Sequence, residues 1–239
     1  MSGSHYIALS GLRARVDDLD RLADDIANLG TAGYKGQRDA RASAERAVFA
    51  DTLQTAIDTT YGGRRLDVSP GAFAMTGREL DVAIDGDGFF VIDTPGGQRY
   101  TRNGHFTMNA SRQLVAEDGA LVRGEGGPIT LGEGDIRIDE DGTISTGDQP
   151  VGKLAIVTFD RPDQLAREHG ARLRADGQTA NPAKVSVVRG GALEESNVSV
   201  AGRLAELTTV ARSFEALQKA IGMLMNDVDG RAIDSLGRR

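Results

Sequence analysis

The 239-residue chain has no cysteine and no tryptophan. Without cysteine there is no disulfide framework and no thiolate metal site. Positive charge is short as well. The net charge of −7 argues against a nucleic-acid binder that works through a basic surface. No apolar run approaches the ~20 residues of a membrane-spanning helix. The opening residues Met1-Ser2-Gly3-Ser4-His5 lack the basic start and apolar stretch of a secretory signal. The expectation is residence in the cytoplasm, or export by a route that needs no cleaved signal. Hydrophobic content of 39% and charged content of 26% mark a chain able to bury a core. The 31 glycines exceed the ~7% of average usage, which predicts many turns and hence β-structure.

The longest apolar stripe runs from Val198 to Val228. Val200, Leu207, Phe214, Ile221 and Val228 recur every seventh residue. Val210, Leu217 and Leu224 flank them on one side, and Leu204, Ala211, Gln218 and Met225 on the other. In a helix these rows merge into one broad apolar face. Ser196 and Asn197 upstream are helix-start residues, and no proline interrupts the run. Tyr6 to Leu29 predicts a second long helix. Its stripe comprises Leu9, Leu12, Val16, Leu19, Ala23 and Ile26, and Gly30 and Gly33 stop it. Heptad stripes of this kind predict a coiled-coil-like pair of terminal helices.

Between the helices the pattern changes. Phe49, Leu53 and Ile57 permit a short helix, and Pro70-Gly71 signals a turn. From Glu79 the chain reads as strands. Leu80 to Ile84 alternates, Phe89-Phe90-Val91-Ile92 is a short apolar run, and Pro95-Gly96-Gly97 closes it. Gln113 to Ala116, Asp135 to Ile138 and Lys153 to Phe159 are further strand-like runs. Asn103-Gly104, Asp118-Gly119, Asp141-Gly142 and Asp176-Gly177 punctuate them, as hairpins require. The expected fold is α+β: paired N- and C-terminal helices plus a central antiparallel β domain. The expected division is an N-terminal helix at 1–35, a connector at 36–76, the β domain at 77–190 and a C-terminal helix at 191–239.

Chemical motifs are weak. Gly86-Asp87-Gly88 begins like a dinucleotide fingerprint, but the third position holds Val91 and no helix follows. Asp85-Gly86-Asp87-Gly88 and Asp139-Glu140-Asp141-Gly142 suggest calcium loops. Aligned on their glycines, they fail: the first puts Ala83 and Thr94 at the terminal ligand positions, and the second puts Arg137 first. No two of His5, His105 and His169 have metal-ligand spacing. No nucleophile elbow and no phosphate-binding loop occur. The residues predict no enzyme, no cofactor and no small-molecule substrate.

Four blocks do carry a signature. Asn28-x-x-Thr31-x-Gly33-Tyr34-Lys35 follows an Ala8-x-x-Gly11-Leu12 helix. Asp81 to Phe90 contains Asp85-Gly86-Asp87-Gly88-Phe89. Tyr100-Thr101-Arg102-Asn103-Gly104-His105-Phe106 comes next, with Leu114-Val115 and Asp118-Gly119 downstream. Gly191-Ala192-Leu193-Glu194-Glu195-Ser196-Asn197-Val198 leads into the last helix, which holds Arg212-Ser213-Phe214-Glu215. In this order and over nearly the whole chain, the blocks resemble the flagellar basal-body rod and hook protein family. The compact length and the ending Ala232 to Arg238 resemble its proximal rod members, with the distal rod protein as the alternative. The family usually has an Asn pair where Asp24-Asp25 stand.

The resemblance implies a structural subunit of the periplasmic rod, the shaft between motor and hook. It also implies polymerisation through the terminal helices, with rod subunits of its own and related kinds as partners. Passage through the flagellar export apparatus, without a cleaved signal, belongs to the same implication. The expected assembly interface is Leu9, Leu12, Val16, Leu19, Ala23, Ile26, Leu204, Leu207, Ala211, Phe214, Leu217, Ile221, Leu224 and Val228. Two other readings compete: a β binding module on a coiled-coil stalk, and a hydrolase with paired acids in a cleft.

Overall fold

The computed structural model describes residues 2–39, 64–183 and 186–236. The short helix expected around Phe49, Leu53 and Ile57 lies outside them, as do the side chains of Leu9, Ile221, Leu224 and Val228. The described residues form two α-helices and nineteen β-strands. The chain divides into two compact units, one holding the terminal helices and the other the strands.

Helix α1 spans Ser2–Ala27 and α2 spans Val200–Leu236. α1 stops where Thr31 turns back, its N–H donating to the Asn28 carbonyl at 3.1 Å. α2 is capped by Ser199, whose hydroxyl accepts from the Gly202 N–H at 3.4 Å, as a Ser one position ahead of a helix does. Ser196 and Asn197, expected to start this helix, are used elsewhere.

The expected coiled-coil pairing requires correction. Ion pairs join the two helices. Arg21 Nη2 reaches Glu206 Oε1 at 2.5 Å, and Arg203 Nε reaches Asp25 Oδ2 at 3.0 Å. Arg21 and Asp25 are buried, along with Leu22 and Val210. The expected seam is only partly covered: Val16 is 41%, Val200 52% and Leu204 48% exposed, and Ala23 is exposed too, while Leu12, Leu19, Ile26, Leu207, Ala211, Phe214 and Leu217 are half-buried. A heptad stripe records which positions are apolar but not which surface covers them. Among the described residues the covered side of α1 carries Asp18, Arg21 and Asp25 beside Leu22, which is not the apolar seam of a coiled coil. A strand-rich antiparallel body, rather than a helix pair, dominates the chain.

The β unit is built around the strand Phe89–Thr94. Its four-residue apolar run is buried on both faces, which explains the absence of alternation. Phe90 and Ile92 enter one core with Val82, Ile84, Phe106, Leu114, Val122, Ile144 and Val188. Phe89 and Val91 enter a second with Leu66, Tyr100, Phe159, Leu165 and Leu173. Within the ten-stranded sheet this strand pairs with Gly97–Thr101, Leu121–Gly124 and Ile156–Thr158, all antiparallel. A three-stranded sheet, Ile136–Ile138, Thr143–Thr146 and Gln149–Lys153, supplies Ile144 to the first core.

The turn signals divide into two kinds. Asp118-Gly119 and Asp141-Gly142 close hairpins, with φ of +83° and +84° at the glycines. Asp85-Gly86-Asp87-Gly88 does not, because the strands on either side belong to different sheets: Val82–Gly86 pairs with Ser186–Gly190. The run Lys153 to Phe159 also splits, ending one strand at Lys153 and starting another at Ile156 in a different sheet.

Candidate functional site

The motif blocks, distant in sequence, meet inside the β unit. Glu194 is their hub and is completely buried. Its Oε1 accepts from Lys35 Nζ at 2.5 Å and from the Gly71 N–H at 2.9 Å. Its Oε2 lies 3.3 Å from Arg102 Nη1. Its main-chain carbonyl accepts from the Gly33 N–H at 2.7 Å. One residue of the C-terminal block thus holds the N-terminal block, the central block and the connector.

Each partner is held in turn. Lys35 Nζ also donates to the Ser69 carbonyl at 2.8 Å. Arg102 donates to the carbonyls of Ile84 at 3.0 Å and Gly86 at 2.6 Å, and its guanidinium lies 5.4 Å from the centre of the Phe89 ring. Asn197 accepts from the Gly36 N–H at 2.8 Å and donates to the carbonyls of Asp67 and Ser69 at 2.8 and 3.0 Å. Gly33, at φ +65°, lies against the backbone of Arg102 and Asn103; a Cβ there would sit 2.1 Å from the Arg102 carbonyl carbon. Gly104 is packed as tightly, with a Cβ meeting the Val82 oxygen at 1.7 Å. These glycines are needed for close backbone approach, not for hairpins.

Burial shapes the charges. Desolvation pulls Lys35 below the usual lysine value, and the bond to Glu194 works against that pull. Desolvation likewise lowers Arg102, with Glu194 again opposing. Asp67 is raised by burial but held lower overall by the Ser69 hydrogen bonds and by Arg38. A buried charge survives when it is paired and fully hydrogen-bonded. Lys35, Glu194 and the Arg102 Nη atoms meet that need among themselves and with backbone groups, so the cluster serves as a structural clasp.

The other motif residues surround it. Tyr34 is buried under Arg167, whose guanidinium stacks 4.2 Å from the ring centre and donates to Tyr34 Oη and the Lys35 carbonyl. Thr31 Oγ1 donates to Asn28 Oδ1 at 3.1 Å. Asp85 pairs with Arg189, whose Nε is 3.0 Å away. Thr101 Oγ1 donates to the Ala171 carbonyl at 3.0 Å. Phe106 packs edge-on against Phe90 at 5.2 Å. Ser196 Oγ accepts from the Val198 N–H at 3.3 Å. Gly86 and Gly88 take φ of +113° and +142°. His105 bonds the buried Asp81 at 2.9 Å.

Of the expected interface, Leu12, Leu19, Ile26, Leu207, Ala211, Phe214 and Leu217 are half-buried, and Val16, Ala23 and Leu204 are exposed. Ser69, Gly71 and Arg167 were not legible as members of the clasp. Asp67-x-Ser69-Pro70-Gly71 has turn chemistry, but nothing local to Arg167 points to Tyr34.

A clasp of this kind, on a strand-rich body carrying long helices with exposed apolar positions, defines an assembly subunit. Two family descriptions match the chain: Flagellar hook protein FlgE/F/G D1 domain over residues 83–146, and Flagellar basal body rod FlgEFG protein C-terminal over residues 189–224. The flagellar basal-body rod protein FlgF of Rhizobium meliloti is 34% identical over 242 residues, covering 97% of each chain. FlgF of Salmonella typhimurium is 34% identical over 250 residues, also covering 97% of each. FlgG of Bacillus subtilis is 32% identical over 250 residues, covering 92% of this chain and 94% of its own. The chain belongs to the flagellar basal-body rod protein family and is similar to FlgF from end to end.

Proposed function

We infer that the chain is a structural subunit of the flagellar basal-body rod, resident in the basal body, and acts by assembly rather than catalysis. The observation that carries this reading is the end-to-end similarity to FlgF, at 34% identity. Its rod contacts are made with other flagellar rod subunits, of its own and related kinds. The outward apolar positions of α1 and α2, among them Val16, Val200 and Leu204, are the surfaces that neighbouring helices cover. A heterologous contact that does not close on itself generates a helical filament. Each large apolar side chain covered in this way contributes roughly 1.5–3 kcal/mol.

The finer assignment is to the proximal rod, supported by the similarity to FlgF proteins. Delivery through the flagellar export apparatus is part of the same reading. No helix among the described residues is long and apolar enough to cross a membrane. Deletion of the gene tests the reading. The expected result is a non-motile strain whose basal bodies lack distal rod and hook, restored by the wild-type chain. Normal swimming with complete filaments in the deletion strain would overturn it.

A further inference from the structure

Four charged side chains close a ring between α1 and α2. Arg21 Nη2 lies 2.5 Å from Glu206 Oε1, and Arg203 Nη1 lies 2.7 Å from Glu206 Oε2. Arg203 Nε lies 3.0 Å from Asp25 Oδ2, and Arg21 Nη1 completes the circuit at 3.9 Å from the same oxygen. Cation and carboxylate alternate around the ring, and each helix supplies one of each. Arg21 and Asp25 are buried. They stand about one turn apart on α1, as Arg203 and Glu206 do on α2. The ring therefore ties one turn of α1 to one turn of α2, with the helices antiparallel.

A buried ionic ring adds little net stability, because desolvation offsets most of its attraction. Its strength is discrimination. Sliding α2 by one turn would put Val210 beside Arg21 and Leu207 beside Asp25. Two buried charges would then face apolar side chains without a counter-charge, a state that is strongly disfavoured. The apolar positions do not discriminate in this way. Leu19, Ala23 and Ile26 on α1, and Leu207, Ala211 and Phe214 on α2, recur at helical spacing, so apolar meets apolar again after a slide of one turn. We propose that the ring of Arg21, Glu206, Arg203 and Asp25 is the register lock of the two helices, setting which of their apolar side chains stay outward. In the locked register Val16, Val200 and Leu204 are outward. The consequence for assembly rests on the rod reading above; the lock itself does not.

The test measures register directly, on the purified full chain. The chain has no cysteine of its own, so nitroxides are attached at Arg13→Cys and Ala201→Cys, both exposed positions, and their separation is read by pulsed electron resonance. One variant makes the ring apolar: Arg21→Met, Asp25→Leu, Arg203→Met and Glu206→Leu. It is expected to keep its helical dichroism but to add a population displaced by about 5 Å, one helical turn. In the deletion strain its hook-bearing cells are expected to fall about tenfold, one decade of equilibrium constant. A second variant moves the α2 charges by one turn without changing composition: Arg203→Leu, Leu207→Arg, Glu206→Val and Val210→Glu. Its distance is expected to lengthen as a whole by about 5 Å. A single wild-type distance in the apolar variant overturns the lock. Loss of its helix content does so too, because the ring would then hold the helices folded rather than choose their register. An unchanged or undefined distance in the shifted variant also overturns it. A displaced population with normal hooks overturns the role in assembly and leaves the rod reading standing. A deletion strain that builds hooks fails the rod reading itself and leaves the distances untouched.

Discussion

Lys35 Nζ lies 2.5 Å from Glu194 Oε1, across 159 positions of sequence, with both side chains buried. The pair ties the segment leaving α1 to the segment entering α2, within the β unit. Removing one member of a buried pair costs more than the pair contributes, because the survivor keeps its desolvation without its partner.

Glu194→Ala therefore costs more than Lys35→Met. The first strands Lys35 and Arg102 together and is expected to destabilise by about 3–5 kcal/mol. The second leaves Glu194 with Arg102 and the Gly71 N–H, and is expected to cost roughly 1–3 kcal/mol. Urea unfolding of the purified chain, followed by near-ultraviolet dichroism, gives both values. The reverse order would show that Glu194 is not the hub.

Gly33 and Gly119 both have positive φ, but only Gly33 lies against another backbone segment. Gly119→Ala incurs the left-handed penalty alone, about 1–2 kcal/mol. Gly33→Ala incurs that penalty and must also displace Arg102 and Asn103, and is expected to exceed about 3 kcal/mol. Equal melting temperatures for the two variants would contradict the close packing.

Acid should release two contacts. Burial raises Asp67, but hydrogen bonds from Ser69 and Arg38 hold it lower overall. Burial raises Glu206, but Arg21 and Arg203 hold it lower overall. A carboxylate with a depressed folded value contributes stability above its unfolded value, near ~3.9 for Asp and ~4.3 for Glu. That stability is lost as pH falls through the folded value. Thermal melts from pH 7 downward should show Asp67→Asn and Glu206→Gln less stable than wild type near neutrality. Each gap should close below about pH 4. A gap independent of pH would sink this assignment.

Much of the β unit was legible because its signals are local. Asp118-Gly119 and Asp141-Gly142 form turns whose φ values only glycine adopts easily, and Phe89 to Ile92 carries its own burial in its composition. The clasp was only half legible. Lys35, Arg102 and Glu194 each stood in a recognisable block, but their meeting depends on folding across more than a hundred residues. Arg167 sits in a strand with no distinguishing pattern, and its contact with Tyr34 is wholly tertiary. The helices misled for a different reason. The stripe marked Val16 and Leu204 as apolar, and they are, but both are exposed, while Arg21 and Asp25 are buried along with Leu22 and Val210. Asp25 is matched by Arg203, a pairing that the stripe does not encode.

The most direct test of the rod reading uses the absence of cysteine. Single cysteines at Val16 and Leu204, both exposed, give clean reporters of who covers the helices. Labelling by a maleimide is measured on the purified chain and on intact basal bodies carrying the same variant. The account predicts rapid labelling of both sites in the free chain and protection of about tenfold or more in basal bodies, because neighbouring helices exclude water from buried apolar contacts. Equal labelling in the free and assembled states would contradict it.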